Sequence, residues 1–412
     1  FDAHAFAAQA IQAGAAAVVV ERGATLPEHV SAVEVDDTLR ALGDLAHAHR
    51  RAWNGKIIGI TGSVGKTTTK ELTAAALQSA GHSVLATKGN LNNRIGVPMT
   101  LFQLDGDVDL AVVEMGTSEP GEIARLAEIA APDVGVVTHA SLSHTEGLGT
   151  LGAVADEKVS LLHALGADGI AIANGDVGPV KKRASVVRAK RKLFYGRSAG
   201  NDVRVVDWDV HAAGTLARFQ VRGQGVEIEM GLLGEGAALN AAGALAVALG
   251  LGEPLEAAAR GIAGVEPSPG RMQPRRARGD RLVVDDTYNA NPTSVEVALG
   301  TARQIADERD APLVVVLGDM KELGAQSEAA HRKVGEQVAD IDAFLFVGCG
   351  EGMHVAVDAA NARGIDTLWF QDAEECREIG DRLPLNAVVL VKGSRSTQME
   401  RVVTPLLEEE RR

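Results

Sequence analysis

Lys56-Ile-Ile-Gly-Ile-Thr-Gly-Ser-Val-Gly-Lys-Thr-Thr68 decides the fold. An apolar, strand-like run ends at Ile60, a glycine-bearing turn follows, and a helical pattern runs over 69–80 until Gly81 stops it. This strand–loop–helix order is that of a phosphate-binding loop. Gly62 and Gly65 let backbone N–H groups turn inward around phosphate oxygens, with Ser63 and Val64 between them and Thr68 closing the turn. Lys66 supplies positive charge, and Thr67 offers a hydroxyl to Mg²⁺. The full Walker form needs glycine six residues before the lysine. Ile60 stands there and the glycine comes at Gly62, so the loop is a shortened Thr-Gly-x-x-Gly-Lys-Thr variant.

Outward from this loop the pattern continues as βα units. Strands are expected at 110–115, 134–138 and 169–173, with helices over 121–130 and 151–165. Such alternation means a parallel sheet with helices on its faces. Residues 203–233 change to strand-like alternation with a turn at 223–225, and 237–249 reads as a helix. That stretch is Ala/Gly-rich, holds Asn240, and reads as buried and too short to span a bilayer. Pro267-Ser-Pro-Gly270 is the clearest linker. A second βα series of Rossmann-like type follows it. The expected division is 1–50 as the last part of a domain, 51–267 as a central domain, and 268–412 as a C-terminal domain.

The 412 residues allow two or three domains. A net charge of −14 and 3% aromatic residues exclude a basic, base-stacking nucleic-acid surface. Two cysteines, Cys349 and Cys376, make neither a disulfide framework nor a zinc cage and fit a reducing cytoplasm.

Several polar residues fall at strand ends, where open α/β sheets collect ligands. Glu114 is placed either to hold a metal beside the phosphate loop or to cap a turn. His139, His144 and Glu146 cluster after the 134–138 strand, and the clustering favours His144 as a ligand over a surface residue. Lys158, in the next helix, reads by itself as a solvated face residue. In the C-terminal unit, Asp285-Asp-Thr-Tyr-Asn-Ala-Asn-Pro292, Gly318-Asp-Met-Lys-Glu-Leu-Gly324 and Lys392-Gly-Ser-Arg-Ser396 form three polar strand-end loops. The phosphate loop lies in one unit and these loops in another, which points to chemistry in the cleft between them.

These stretches, with Lys88-Gly-Asn-Leu-Asn-Asn-Arg-Ile-Gly-Val-Pro98, Gly121-Glu-Ile-Ala124 and Pro269-Gly-Arg-Met-Gln273, resemble the Mur ligases. The Tyr-Asn-Ala-Asn-Pro run is similar to the dipeptide-adding branch. The resemblance implies a central ATPase-like domain, a Rossmann-like C-terminal domain and the remnant of an N-terminal UDP-binding domain. Phe1 is read as the cut end of that domain. It implies an ADP-forming ligase that joins D-alanyl-D-alanine to UDP-N-acetylmuramoyl-tripeptide through an acyl phosphate, for peptidoglycan synthesis. The alternatives are a sibling ligase with another amine and a non-catalytic nucleotide-binding paralogue. The expected setting is a cytoplasmic monomer without membrane insertion.

By residue match, the resemblance puts Lys66, Lys158 and His144 at the catalytic centre. Thr67, Glu114, His144 and a carbamylated Lys158 would hold Mg²⁺. Asn240 would meet adenine, and Arg271 and Asp286 would reach ATP from the C-terminal domain. Asn92 and Asn93 would face the uridine substrate. Asn289, Asn291, Lys392, Ser394 and Arg395 would meet the peptide end and D-alanyl-D-alanine. His139 departs from the family, which usually has Asn there.

Overall fold

The computed structural model describes residues 3–26, 30–141 and 149–408. Near its start, β1 (Val18–Glu21) and β2 (Ala32–Val35) pair in parallel as a separate ribbon. A second sheet holds β3 (Lys56–Thr61), β4 (Val84–Ala86), β5 (Leu110–Glu114), β6 (Val134–Val137), β7 (Ile170–Asn174) and β8 (Arg191–Gly196). It continues with β9 (Val203–His211), β10 (Gly214–Val221) and β11 (Gln224–Met230). The strand order is β11-β10-β9-β8-β7-β6-β3-β5-β4. All neighbours from β4 to β9 are parallel, and β9, β10 and β11 form an antiparallel meander on the same sheet.

The third sheet comprises β12 (Gln273–Ala277), β13 (Arg281–Asp286), β14 (Leu313–Gly318), β15 (Leu345–Cys349), β16 (Thr367–Phe370) and β17 (Val388–Lys392). Its order is β12-β13-β17-β14-β15-β16, parallel except for the β12–β13 edge. Every residue of β5, β6, β14, β15 and β17 is buried. Helices cover both faces, which is why these strands read as continuous apolar runs.

Sheet order positions the site. β5 and β6 flank β3, so the loops leaving their carboxyl ends share one edge. β13, β17 and β14 are likewise neighbours, which gathers their three polar loops. The two sheets meet beside these edges. Leu233 is part of the C-terminal core, and Val210 and Ala212 pack against it.

Two readings need correction. The hairpin turn is Arg222-Gly223, both at positive φ, with Val221 opposite Gln224. A two-residue turn of this kind matches strand twist, so the register falls short of the expected 223–225 turn. The Ala/Gly helix spans Gly234–Leu251, 18 residues, long and apolar enough to cross a membrane by length and composition. Burial within the protein accounts for its apolarity instead, since 67% of it is covered. Its small residues let it approach helix Lys66–Ser79: a Cβ on Gly243 would stand 3.3 Å from Thr69.

The helix Thr38–Ala52 is a further addition. Asp37 caps it by accepting from Arg40 N. It crosses residue 50 and buries Ala46 among Ile57, Ala111 and Ile129 of the second sheet's layer. Arg50 ties it down, donating to the carbonyls of Ala130, Ala131, Trp53 and Gly55 and to Asp133 at 2.9 Å. Removing such a group strands several acceptors. Arg50→Ala is therefore expected to lower unfolding free energy by about 3 kcal/mol. Urea denaturation checks this.

Candidate active site

The phosphate loop is built by close backbone approach. Gly62 has φ 155°, and a Cβ there would lie 2.0 Å from Thr138 Oγ1. Gly65 has φ 84° and stands at the helix N-terminus; a Cβ there would lie 2.3 Å from Asn240 Oδ1. Both positions demand glycine. Thr138 donates to Val64 O at 2.6 Å, and Ser63 N donates to His139 O at 2.8 Å. Lys66 Nζ rests on Gly62 O at 2.8 Å. Burial lowers its pKa first, Glu114 opposes that, and Arg271 lowers it further.

A cavity of about 680 Å³ opens over this loop. Ser63, Val64, Gly65, Lys66, Thr67 and Thr68 form one wall, with Asn92, Asn93, Glu114 and Asn240. Arg271, Asp286, Asn289, Asn291 and Lys392 form the facing wall, from the third sheet. The structure thus brings together most of the expected residues from both units. Gly62, Lys158, Ser394 and Arg395 are not among its walls.

Glu114 ends β5 and is buried. Asn92 Nδ2 donates to its Oε1 at 2.8 Å, while Oε2 has no partner among the described residues. A buried carboxylate oxygen without a partner suits a cation. Thr67 and Glu114 on one cavity therefore fit Mg²⁺, which takes one or two protein groups beside substrate phosphates. Among the described residues, no group of three or more His, Cys, Asp or Glu side chains is arranged to hold a metal ion by itself. His144 lies outside the described residues.

Lys158 sits buried on helix Leu151–His163. Its solvated-face reading is overturned: the helix turns it inward. Burial and then the nearby Lys66 push its pKa well below the ordinary lysine value, more than Glu157 and Glu122 restore. Glu157 is occupied by the N–H groups of Gly121 and Ile123.

On the facing wall, Lys392 Nζ contacts Asp286 at 2.5 Å and Asn289 O at 2.8 Å. Burial raises the Asp286 pKa, opposed by Lys392, Met272 N–H and Arg271. Arg271 lies over the Tyr288 ring at 3.9 Å, a cation–π contact. Asn291 caps helix Pro292–Glu308 in a reciprocal box with Ser294. Ser394 Oγ accepts from Lys321 N and is buried, and exposed Arg395 pairs with Glu400. Asn240 Oδ1 accepts from Thr69 at 3.2 Å.

A second cavity, about 460 Å³, is lined by His139, Asn174, Asp176, Arg197, Ser198 and Glu235. Burial lowers the His139 pKa, and its Nδ1 has no partner among the described residues. The sequence carries no signal for Thr87 or Thr138 as parts of the site, whereas Tyr288 lies in the Tyr-Asn-Ala-Asn-Pro run, without a sign of its contact with Arg271.

Residues 60–248 match the model for the Mur ligase middle domain, and residues 270–395 match the model for the Mur ligase, glutamate ligase domain. The UDP-N-acetylmuramoyl-tripeptide–D-alanyl-D-alanine ligase of Escherichia coli (strain K12) is 37% identical, with 99% of this chain and 89% of that protein covered. The Bacillus subtilis (strain 168) ligase of the same name is 33% identical, at 99% and 88%. The crystal structure of MurF ligase from Thermotoga maritima in complex with ADP superposes with TM-score 0.89 at 28% identity. It covers 100% of this chain and 93% of that one. With both domain models matched and whole-length relatives of one name, the chain belongs to the Mur ligase family, among its MurF-type members.

Proposed function

We propose that this chain is an ATP-dependent, ADP-forming ligase that joins D-alanyl-D-alanine to UDP-N-acetylmuramoyl-tripeptide, a step of peptidoglycan precursor synthesis. The observation that carries the reading is the cavity walled by the phosphate loop on one side and Arg271, Asp286 and Lys392 on the other. A carboxylate is a poor electrophile until phosphorylation gives it a leaving group. The amine then attacks the acyl phosphate, phosphate departs with the bonding electrons, and the amine loses a proton.

The loop N–H groups and Lys66 bind and orient the ATP phosphates, and Lys66 offsets charge that develops during transfer. Mg²⁺ would supply further charge neutralisation. Thr67 and Glu114 would hold it, with His144 and a carbamylated Lys158 completing the set. Carbamylation balances simply: neutral Nζ adds to CO2, an N–C bond forms, and one proton leaves. The lowered lysine pKa supports this by raising the neutral fraction. Arg271 and Asp286 reach ATP from the facing wall, and Asn240 lies on the adenine side. Asn93 faces the uridine substrate, while Asn289, Asn291 and Lys392 meet the peptide end and the dipeptide, with Ser394 and Arg395 supporting that loop. Residues 1–50, 51–267 and 268–412 act as substrate, ATP and amine-binding units, with helix Thr38–Ala52 running across the first boundary and packing on the ATP unit. ATP as co-substrate assigns the work to the cytoplasm.

A phosphate-release assay on the full chain tests this. Release is expected only with ATP, the tripeptide nucleotide and D-alanyl-D-alanine together. Equal release with a single amino acid would move the assignment to a sibling ligase. Nucleotide binding without release on any substrate pair would support a non-catalytic paralogue.

A further inference from the structure

Glu114 is held by partners that the proposed reaction does not use. Its main-chain N–H donates to Thr87 Oγ1 at 3.0 Å. Thr87 O in turn accepts from Lys70 Nζ at 2.6 Å, and Lys70 is 1% exposed. The side chain is held separately: Asn92 Nδ2 donates to Oε1, and Asn92 O accepts from Gly116 N, both at 2.8 Å. A Cβ at Gly116 would stand 2.9 Å from Asn92 Oδ1, so the glycine is what admits Asn92. One oxygen is thereby committed, and Oε2 is left buried without a partner among the described residues.

We infer that Asn92 is a positioning residue for a divalent cation, acting through Glu114 rather than on the nucleotide substrate, with Thr87 fixing the Glu114 main chain. This rests on the reading that Glu114 holds the metal. The amide of Asn92 is a donor toward Oε1, so it pins the carboxylate rotamer and leaves the second oxygen uncommitted on a residue that lines the same cavity as the phosphate loop. Without that donor the carboxylate can turn and pair elsewhere, most readily with Lys66, whose charge it already feels. Groups that orient a ligating carboxylate typically govern metal affinity by about 10- to 100-fold.

The test is Mn²⁺ titration into the full chain with ADP present, read by electron paramagnetic resonance, with no ligation substrate. Asn92→Ala is expected to weaken Mn²⁺ binding about tenfold, while ADP affinity measured without metal stays within twofold of wild type. Turnover should return toward wild type as Mg²⁺ is raised, with the KM for the tripeptide nucleotide little changed. Thr87→Val should weaken Mn²⁺ binding in the same direction and Thr87→Ser should restore it, which covers the case in which Asn92→Ala fails to fold. Unchanged Mn²⁺ affinity in Asn92→Ala, or a rise only in the KM for the nucleotide substrate, would overturn the inference. Glu114→Gln separates the two readings. If it leaves Mn²⁺ affinity intact, the metal reading of Glu114 itself fails; if it weakens binding and Asn92→Ala does not, only the positioning role fails.

Discussion

Lys66→Ala abolishes ligation, with an expected loss in kcat on the order of 10³-fold or more. The reason is geometric as well as electrostatic. Lys66 opens its helix, rests on Gly62 O, and lies in the field of Glu114 on one side and Arg271 on the other. Its charge is the one cation built into the loop itself. Arg271 is stacked on Tyr288 across the cleft, and Lys392 is paired with Asp286, so neither is poised to replace it. Because Lys66 bonds only a loop carbonyl, its removal should leave the melting temperature close to wild type. Phosphate-release kinetics with a parallel melt check both halves. Turnover within tenfold of wild type would refute the assignment.

Lys158→Ala is the second large effect, a loss on the order of 10²-fold, partly reversed by millimolar formate or acetate. A carbamate is an anion where an ammonium would repel both Lys66 and a metal ion. A small carboxylate can occupy the space that the truncated side chain vacates. The pH dependence follows from the lowered pKa. Only the neutral amine adds CO2, so the proposed carbamate would form above the amine pKa and would be lost as pH falls through it. Wild-type activity should therefore fall in CO2-depleted buffer, more steeply at lower pH. The acetate-rescued variant should not respond to CO2. Lys158→Met keeps the buried stem and separates packing loss from charge loss. Wild-type turnover from Lys158→Ala without added acid would sink the carbamate role.

What the sequence revealed, and what it hid, follows from the range of the interactions. The phosphate loop was legible because its determinants are local: a buried strand, two glycines at positive φ, and a helix start within a dozen residues. Glu114, Asp286 and Lys392 were legible as strand-end polar residues in a parallel sheet. The helix Thr38–Ala52 was not, because the residues it buries fully are Gly43, Ala46 and Arg50, with no large apolar side chain among them. β12 is an edge strand reading Gln-Pro-Arg-Arg-Ala, with no alternation to find. The contact of Asn92 with Glu114 leaves no mark in the sequence, because the two lie 22 positions apart in the chain. Lys158 shows the opposite failure: its residue type suggested solvent, and only packing reveals a buried amine.

Register carries one more consequence. Asp286 and Lys392 are direct partners on neighbouring parallel strands, and Glu114 faces Ile60 in the ladder beside the phosphate loop. A slip of one residue would send each side chain to the opposite face of its sheet. The facing charges of Asp286, Lys392 and Glu114 are therefore assembled by the same event that seals the hydrophobic layers. A chain that folds wrongly here does not become a weakened ligase. It fails to bury its core, and so exposes itself to proteolysis before it can bind nucleotide unproductively.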